Sequence, residues 1–250
     1  MGKKFDIPTH SVISESLFMR LRLMAGALAL AVMLDGFGWC ADADKEQAAA
    51  KTALQALNEF VGPWKGTGES KEGKNEIWKE SLNWSWSFKG AAPSLVAEFT
   101  DSKQFDKGEL KYLPDKKSYQ FTLTDKNKKE LAFEGEYKKK YLTLTRVDAD
   151  SKDKQVIQMS TNNDGARFIY TYAVQTKGKG LERKLFQVSH TKEGVSLASA
   201  KKNECIVTGG LGTRTVSYMG KTYYVCCSGC ADAFNENPKK FIDEYEKRKK

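Results

Sequence analysis

Residues 78–88 read Trp78-Lys79-Glu80-Ser81-Leu82-Asn83-Trp84-Ser85-Trp86-Ser87-Phe88. Trp78, Leu82, Trp84, Trp86 and Phe88 share one parity. A period of two marks a strand buried on one face, because successive side chains in extended backbone point to opposite sides. The same period recurs downstream in Leu95, Ala97 and Phe99, in Tyr119, Phe121 and Leu123, and in Leu142 with Leu144. It returns in Phe168, Tyr170, Tyr172 and Val174, and in Phe186 with Val188. Turn signals separate these sets at Pro114-Asp115, Asp125-Lys126-Asn127 and Asn162-Asn163-Asp164-Gly165. About ten short strands between Trp64 and His190, with no helical pattern among them, predict an antiparallel meander. Closing it into a β-barrel removes its open edges.

Upstream of the strands the period changes. Leu54, Leu57, Phe60 and Val61 fall on one face at helical spacing, which predicts a helix over 44–61 stopped by Gly62-Pro63. Further back, Leu23–Leu34 is an unbroken apolar run behind Arg20 and Arg22, followed by the small-x-small site Ala41-Asp42-Ala43. Basic flank, short apolar run and small residues make the secretory signal pattern. Residues 1–43 are therefore expected to be a signal peptide cleaved after Ala43, and the mature protein to be periplasmic or secreted. Met19 directly precedes the basic pair and offers an alternative start, with 1–18 a misassigned leader. A lipoprotein would carry its lipid on Cys40, but Trp39 stands where such sites want a small residue. No run approaches the ~20 apolar residues of a membrane-spanning helix, so no transmembrane segment is expected in the mature chain.

The 250 residues allow one or two domains, and 40% apolar residues suffice for a real core. The net charge of +9 is spread thinly, often at every other position of strand-like segments, as on a solvated face. Nucleic-acid binding wants a clustered basic face with a reading motif, and none is expected here. Two histidines, His10 and His190, exclude a multi-histidine metal enzyme. No Ser-His-Asp or paired-carboxylate arrangement stands out, so the protein is expected not to be an enzyme.

The cysteines are crowded. Cys205, Cys226, Cys227 and Cys230 lie in one C-terminal stretch, whereas Cys40 stands alone near the start. Val216–Tyr218 and Tyr223–Val225 read as a hairpin around Met219-Gly220-Lys221. Ser228 is expected to cap a short helix through Phe234, and Asn237-Pro238 to cap and start a second helix carrying Phe241 and Tyr245 on one face. Fewer than ~50 residues cannot bury enough apolar surface to be stable alone, and the cysteines are the candidate staple. Disulfides are one solution in an exported protein. Adjacent Cys226-Cys227 is awkward for them, however, and thiolates at a strand end and in a first helical turn can converge on one metal. The helix N-terminus also favours thiolate over thiol.

Two resemblances follow. The run Leu57-x-x-Phe60-Val61-Gly62-x-Trp64-x-Gly66-x-Gly68 resembles the first strand of lipocalin-like (calycin) barrels, in particular bacterial exported lipocalin-like domains of unknown function. It implies a cavity for a small apolar ligand or haem, with His190 the candidate haem ligand; interior tryptophans that simply fill the core are the competing reading. Residues Cys205–Tyr245 resemble the YHS family, which overlaps the metallochaperone-like TRASH domains. The likeness rests on Cys205-Ile-Val-Thr-Gly209, Gly220-Lys-Thr-Tyr-Tyr-Val-Cys-Cys-Ser-Gly-Cys230, Phe234, Asn237-Pro238 and Phe241.

The YHS resemblance implies a treble-clef-like α+β module with Cys205, Cys226 and Cys230 as metal ligands. Many relatives have a further cysteine where this chain has Thr208, so the fourth donor is left to Cys227, water or a partner. Zn(II) and Cu(I) both suit such a set. The expected organisation is thus a mainly β chain: a helix at 44–61, a barrel at 62–190, a linker at 191–202 and a metal-binding module at 203–250. The alternatives are a carrier of an apolar ligand or haem with a structural C-terminus, and a thiol–disulfide protein using Cys227-x-x-Cys230. No βαβ pattern surrounds that motif to support the redox reading.

Overall fold

A computed structural model of the protein describes residues 38–73, 76–163, 165–193 and 203–249, with side chains from residue 44 onward. Residues 1–37 of the expected signal peptide, the alternative start at Met19, the Cys40 side chain and linker residues 194–202 lie outside the described residues.

Helix α1 spans Gly38–Gln55 and is followed by a single 3-10 turn at Asn58–Phe60. Ten strands then form one closed barrel: β1 Gly62–Ser70, β2 Ile77–Ser87, β3 Ser94–Thr100, β4 Phe105–Leu113, β5 Ser118–Asp125, β6 Glu130–Lys138, β7 Tyr141–Val147, β8 Lys154–Asn162, β9 Arg167–Gln175 and β10 Arg183–Lys192. Each strand pairs antiparallel with its sequence neighbour, and β1 closes the ring by pairing with both β2 and β10. Trp64 stands opposite Leu82 on one side and Lys192 on the other.

The expected helix over 44–61 ends earlier than its apolar spacing suggested, and it begins earlier, at Gly38. The α-helix ends at Gln55, and the bonds Leu57 N–H to Leu54 O, Phe60 N–H to Leu57 O and Val61 N–H to Asn58 O, each from residue i to i−3, tighten the chain. The tighter turn delivers Phe60 to the barrel core, 5.0 Å from the Phe168 ring, and the Trp64 indole donates to Phe60 O at 2.7 Å. Leu54, Leu57, Phe60 and Val61 are all buried, so the apolar face was read correctly and the helix type was not.

The barrel interior is filled. Trp84 stacks on Phe121 at 5.5 Å, and Phe168 packs against Phe60, Trp64 and Trp84. The void among Leu82, Trp84, Phe121 and Phe168 is about 10 Å³. That is room for about one water molecule, not for a haem or an acyl chain. His190 does point inward, as its parity suggested, but into a polar knot. Its Nε2 lies 3.3 Å from Glu80 Oε1, and Glu80 accepts hydrogen bonds from Trp78 Nε1 at 2.8 Å and Tyr170 Oη at 2.9 Å. The Gly66-x-Gly68 pattern is explained by clearance. A Cβ at Gly66 would lie 2.4 Å from the His190 ring, and one at Gly68 2.2 Å from the Trp78 ring.

Beyond the barrel, β11 Arg214–Tyr218 and β12 Lys221–Val225 form the expected hairpin, followed by α2 Ser228–Glu236 and α3 Pro238–Arg248. Asn237 Oδ1 accepts from Lys240 N–H and Pro238 opens α3, as the sequence implies. The cap of α2 is Cys227, not Ser228, because Cys227 keeps extended backbone while its carbonyl already accepts from Ala231 N–H. Phe234, Phe241 and Val225 belong to the same apolar cluster as the barrel's Trp86 and Leu57. The approach is close: a Cβ on Gly229 of α2 would lie 1.7 Å from Trp86 O of β2.

Candidate metal centre

Three local structures bring the sulfurs together. Cys205 lies in a tight loop in which Cys205 N–H donates to Gly210 O at 2.7 Å and Gly209 N–H donates back to Cys205 O at 2.8 Å. Gly209 sits at φ +76, a conformation that a side chain disfavours. Ile206 N–H ties this loop to Tyr224 O of β12, and the Arg248 guanidinium at the end of α3 donates to Ile206 O at 2.7 Å. Cys226 follows the last residue of β12, and Cys230 is the third residue of α2.

The Sγ atoms of Cys205, Cys226 and Cys230 consequently lie within 4.8 Å of one another, with Cys226 and Cys230 only 3.4 Å apart. All three are buried. Cys227 is buried as well, with its Sγ 3.9 Å from that of Cys226. These four are free thiols, well beyond the ~2.05 Å of an S–S bond. Two sulfurs on a tetrahedral ion with bonds of ~2.3 Å stand about 3.8 Å apart, so the spacing suits a thiolate-bound metal with little movement. The donor set fits as well, because buried sulfur ligands match soft and borderline ions.

Thr208 occupies the place where a further cysteine is expected in relatives. It is 1% exposed, and its Oγ1 stands 3.6 Å from Cys226 Sγ. The pocket is thus built around four side chains, of which three are thiols in mutual reach. Cys227 is turned partly aside, and its Sγ accepts the backbone N–H of Trp86 at 3.3 Å.

Electrostatics couples the four thiols. Hydrogen bonds from Cys226, and then from Cys230, hold Cys205 and Cys227 well below the usual thiol range. Cys226 is pushed up chiefly by the protons it shares with Cys205 and Cys227, and Cys230 is pushed up first by burial and then by its three neighbours. The physical content is that four buried sulfurs cannot all ionise together without a cation. A metal ion would replace the shared protons, which is how such binding couples to proton release. A buried lysine is attracted to this charge. Lys192, at the end of β10, is 9% exposed, donates to Glu59 O at 3.1 Å and lies 4.8 Å from the Trp64 ring centroid. Burial depresses it to about 8, partly offset by attraction to Cys226 and Glu59.

Spacing in the sequence singled out the four cysteines, and the YHS resemblance the gap at Thr208. It did not find Trp86, Asn58, Gln55 or Lys192. Trp86 and Cys227 are 141 residues apart, and no local pattern marks a barrel tryptophan's backbone N–H as a sulfur's partner.

Fold and site together define a class: a closed ten-stranded antiparallel barrel followed by a small cysteine-lined α+β module. The family model of the YHS domain matches residues 212–245, so the module carries a YHS domain. The match takes in Cys226, Cys227 and Cys230 and begins after Cys205, which the tertiary structure adds to the cluster. No curated protein matches the chain. Among solved structures, the chain is similar to Rv2717c from M. tuberculosis, with a TM-score of 0.40 and 14% identity over 56% of this chain and 97% of that one.

Proposed function

We propose that this is an exported, non-enzymatic metal-binding protein. In it Cys205, Cys226 and Cys230 hold one Zn(II) or Cu(I) ion for sensing, storage or transfer. The observation that carries this reading is the convergence of three buried thiols from three separate segments within 4.8 Å. Structural zinc sites are closed by four protein ligands. Here a hydroxyl, that of Thr208, stands beside the three thiols, and a set short of a fourth thiolate suits a site that exchanges its ion, or a Cu(I) ion content with three sulfurs. Export rests on the basic, apolar and small-residue pattern of residues 20–43. With the void among Leu82, Trp84, Phe121 and Phe168 only about 10 Å³, the barrel serves as scaffold in this reading.

Metal analysis of the full chain purified under reducing conditions tests the proposal. We expect about one equivalent of zinc or copper in the wild type and none in a Cys205→Ser, Cys226→Ser, Cys230→Ser triple variant. A metal-free wild type, with disulfides among these cysteines found by mass spectrometry, would refute it in favour of thiol–disulfide chemistry.

A further inference from the structure

Both cysteine-bearing loops are gripped from outside the module by one chain of contacts. The Trp86 backbone N–H points at Cys227 Sγ at 3.3 Å. Its indole Nε1 donates to Asn58 Oδ1 at 3.2 Å. The Asn58 amide donates to Thr208 O at 2.9 Å, and Gln55 Nε2 donates to the same carbonyl at 2.9 Å. Thr208 Oγ1 in turn lies 3.6 Å from Cys226 Sγ. The chain therefore runs from Cys227 through Trp86, Asn58 and Thr208 back to Cys226. It joins the Cys205 loop to the Cys226–Cys230 hook without using the hairpin's own ladder.

The grip has little slack. Trp86 is 1% exposed, and its ring stacks on Phe88 at 5.6 Å with only 8° between planes. A Cβ on Gly229, next to Cys230, would clash with Trp86 O, and one on Gly210 would lie 3.1 Å from Asn58 Cγ. Any shift of Trp86 is therefore felt one residue from Cys230, and any shift of Asn58 at Thr208 and Gly210 of the Cys205 loop.

We infer that Trp86 and Asn58 are positioning residues of the metal centre, so that metal affinity belongs to barrel and module together rather than to the module alone. The inference rests on the metal-binding reading above. Its physical basis is preorganisation. Sulfurs on separate segments must be held at bonding separation before the ion arrives, or binding must also order the loops. A backbone N–H directed at a sulfur further fixes its orientation, and such outer partners are worth about 10–100-fold in metal affinity. Cys227 then acts as the anchor through which β2 holds the hook, and contributes less as a ligand than the other three.

Co(II) titration of the full chain under reducing conditions reads both affinity and geometry, with a chelator in competition and the d–d bands as the spectroscopic signature. Trp86→Phe keeps an aromatic ring and the backbone N–H, and removes the indole donor together with the volume of its five-membered ring. Asn58→Asp keeps the acceptor for the indole but replaces the donor to Thr208 O with a carboxylate. Lys51→Ala breaks the Lys51–Glu244 ion pair of 2.8 Å, a contact to α3 outside the chain, and serves as the control.

We expect Trp86→Phe and Asn58→Asp each to weaken Co(II) binding by about tenfold or more, to shift the d–d bands and to speed metal release. Lys51→Ala should leave all three unchanged. The inference is overturned if both test variants keep wild-type affinity and bands, or if Lys51→Ala loses as much as they do. Should Trp86→Phe fail to fold, Asn58→Asp at its half-exposed position decides alone. A wild type without cobalt–thiolate bands overturns the metal-binding reading and this inference with it. Wild-type bands with unaffected variants overturn the inference only.

Discussion

The barrel and the C-terminal module bury their interiors by different chemistry. The barrel's core is Trp64, Trp84, Phe121, Phe133 and Phe168, large rings set by strands that pair mostly with their sequence neighbours. Fully burying one such side chain is worth about 1.5–3 kcal/mol, and the barrel has many. The module has Val225, Ala233, Phe234 and Phe241, and between them a knot of four thiols. Thiols in that number are poor glue unless an ion holds them, because their partial ionisation is costly in a dry interior. The difference teaches where each part is vulnerable: the barrel to lost volume, the module to lost sulfur or lost metal.

The largest effect is expected at the sulfurs. Cys205→Ser, Cys226→Ser and Cys230→Ser should each abolish metal content and expose residues 203–249 to proteolysis, since structural metal binding contributes folding energy on the order of 10 kcal/mol. Cys227→Ser should be milder in both readouts. Equal loss at all four positions would mean a closed four-thiolate centre. Deleting residues 203–250 should leave a β-rich spectrum and a cooperative melt, at a lower temperature because Trp86 and Leu57 lose cover. Loss of both would show that the barrel and the module fold only together.

Trp84→Ala probes the other side of the comparison. It removes a fully buried ring and should cost about 3–5 kcal/mol of stability, read from denaturant melts, while metal stoichiometry in the folded fraction stays at the wild-type value. A parallel loss of metal would break the division between the two interiors.

A smaller effect is expected at the barrel's polar knot. Burial raises the Glu80 carboxyl, but the donors His190, Trp78 and Tyr170 outweigh it, and the net shift is downward. A carboxyl lowered in the folded state adds stability that is fully present above its unfolded value near 4.5 and is lost as pH falls below that. Glu80→Gln should cost about 1–3 kcal/mol at pH 7 and flatten the decline of melting temperature between pH 5 and 3, which thermal melts across that range will show. An unchanged acid slope would assign the decline to other carboxylates.

The smallest effect concerns Lys192. Lys192→Met removes one positive charge that is attracted to Cys226; with less repulsion of the incoming cation it should tighten metal binding about fivefold in chelator competition, of order 1 kcal/mol, with the site's spectrum unaltered. Unchanged affinity would mean that the lysine serves only to tie β10 to Glu59.

The barrel was legible because period two is a local property. Six strands, β2, β3, β5, β7, β9 and β10, show their buried face as alternating apolar residues, and three of the turns carry their own signals. The end of α1 was not legible, since Leu57 and Phe60 fit helical and 3-10 spacing about equally well; the choice was made by where Phe60 had to go, against Phe168. The first cap of α2 was misread for a similar reason. Ser228 is the usual cap type, but the backbone of Cys227 is the residue held extended against β2.

At the site, the YHS resemblance marked Thr208 as standing where relatives carry a thiolate, and the sequence by itself determined which atoms can bind: four thiols at chain positions that a hairpin and a helix start bring close. Chemistry of that kind is written in residue type and short spacing. Only the tertiary structure decided what holds those atoms in place. The Trp86 backbone and the Asn58 and Gln55 amides come from chain segments more than a hundred residues from their partners, and Lys192 likewise reaches back to Glu59. Their meeting depends on ring closure of β1 with β10 and on the docking of α2 against β2. Contacts made by closure and docking have no sequence period, because each is set by the summed geometry of every strand between its partners.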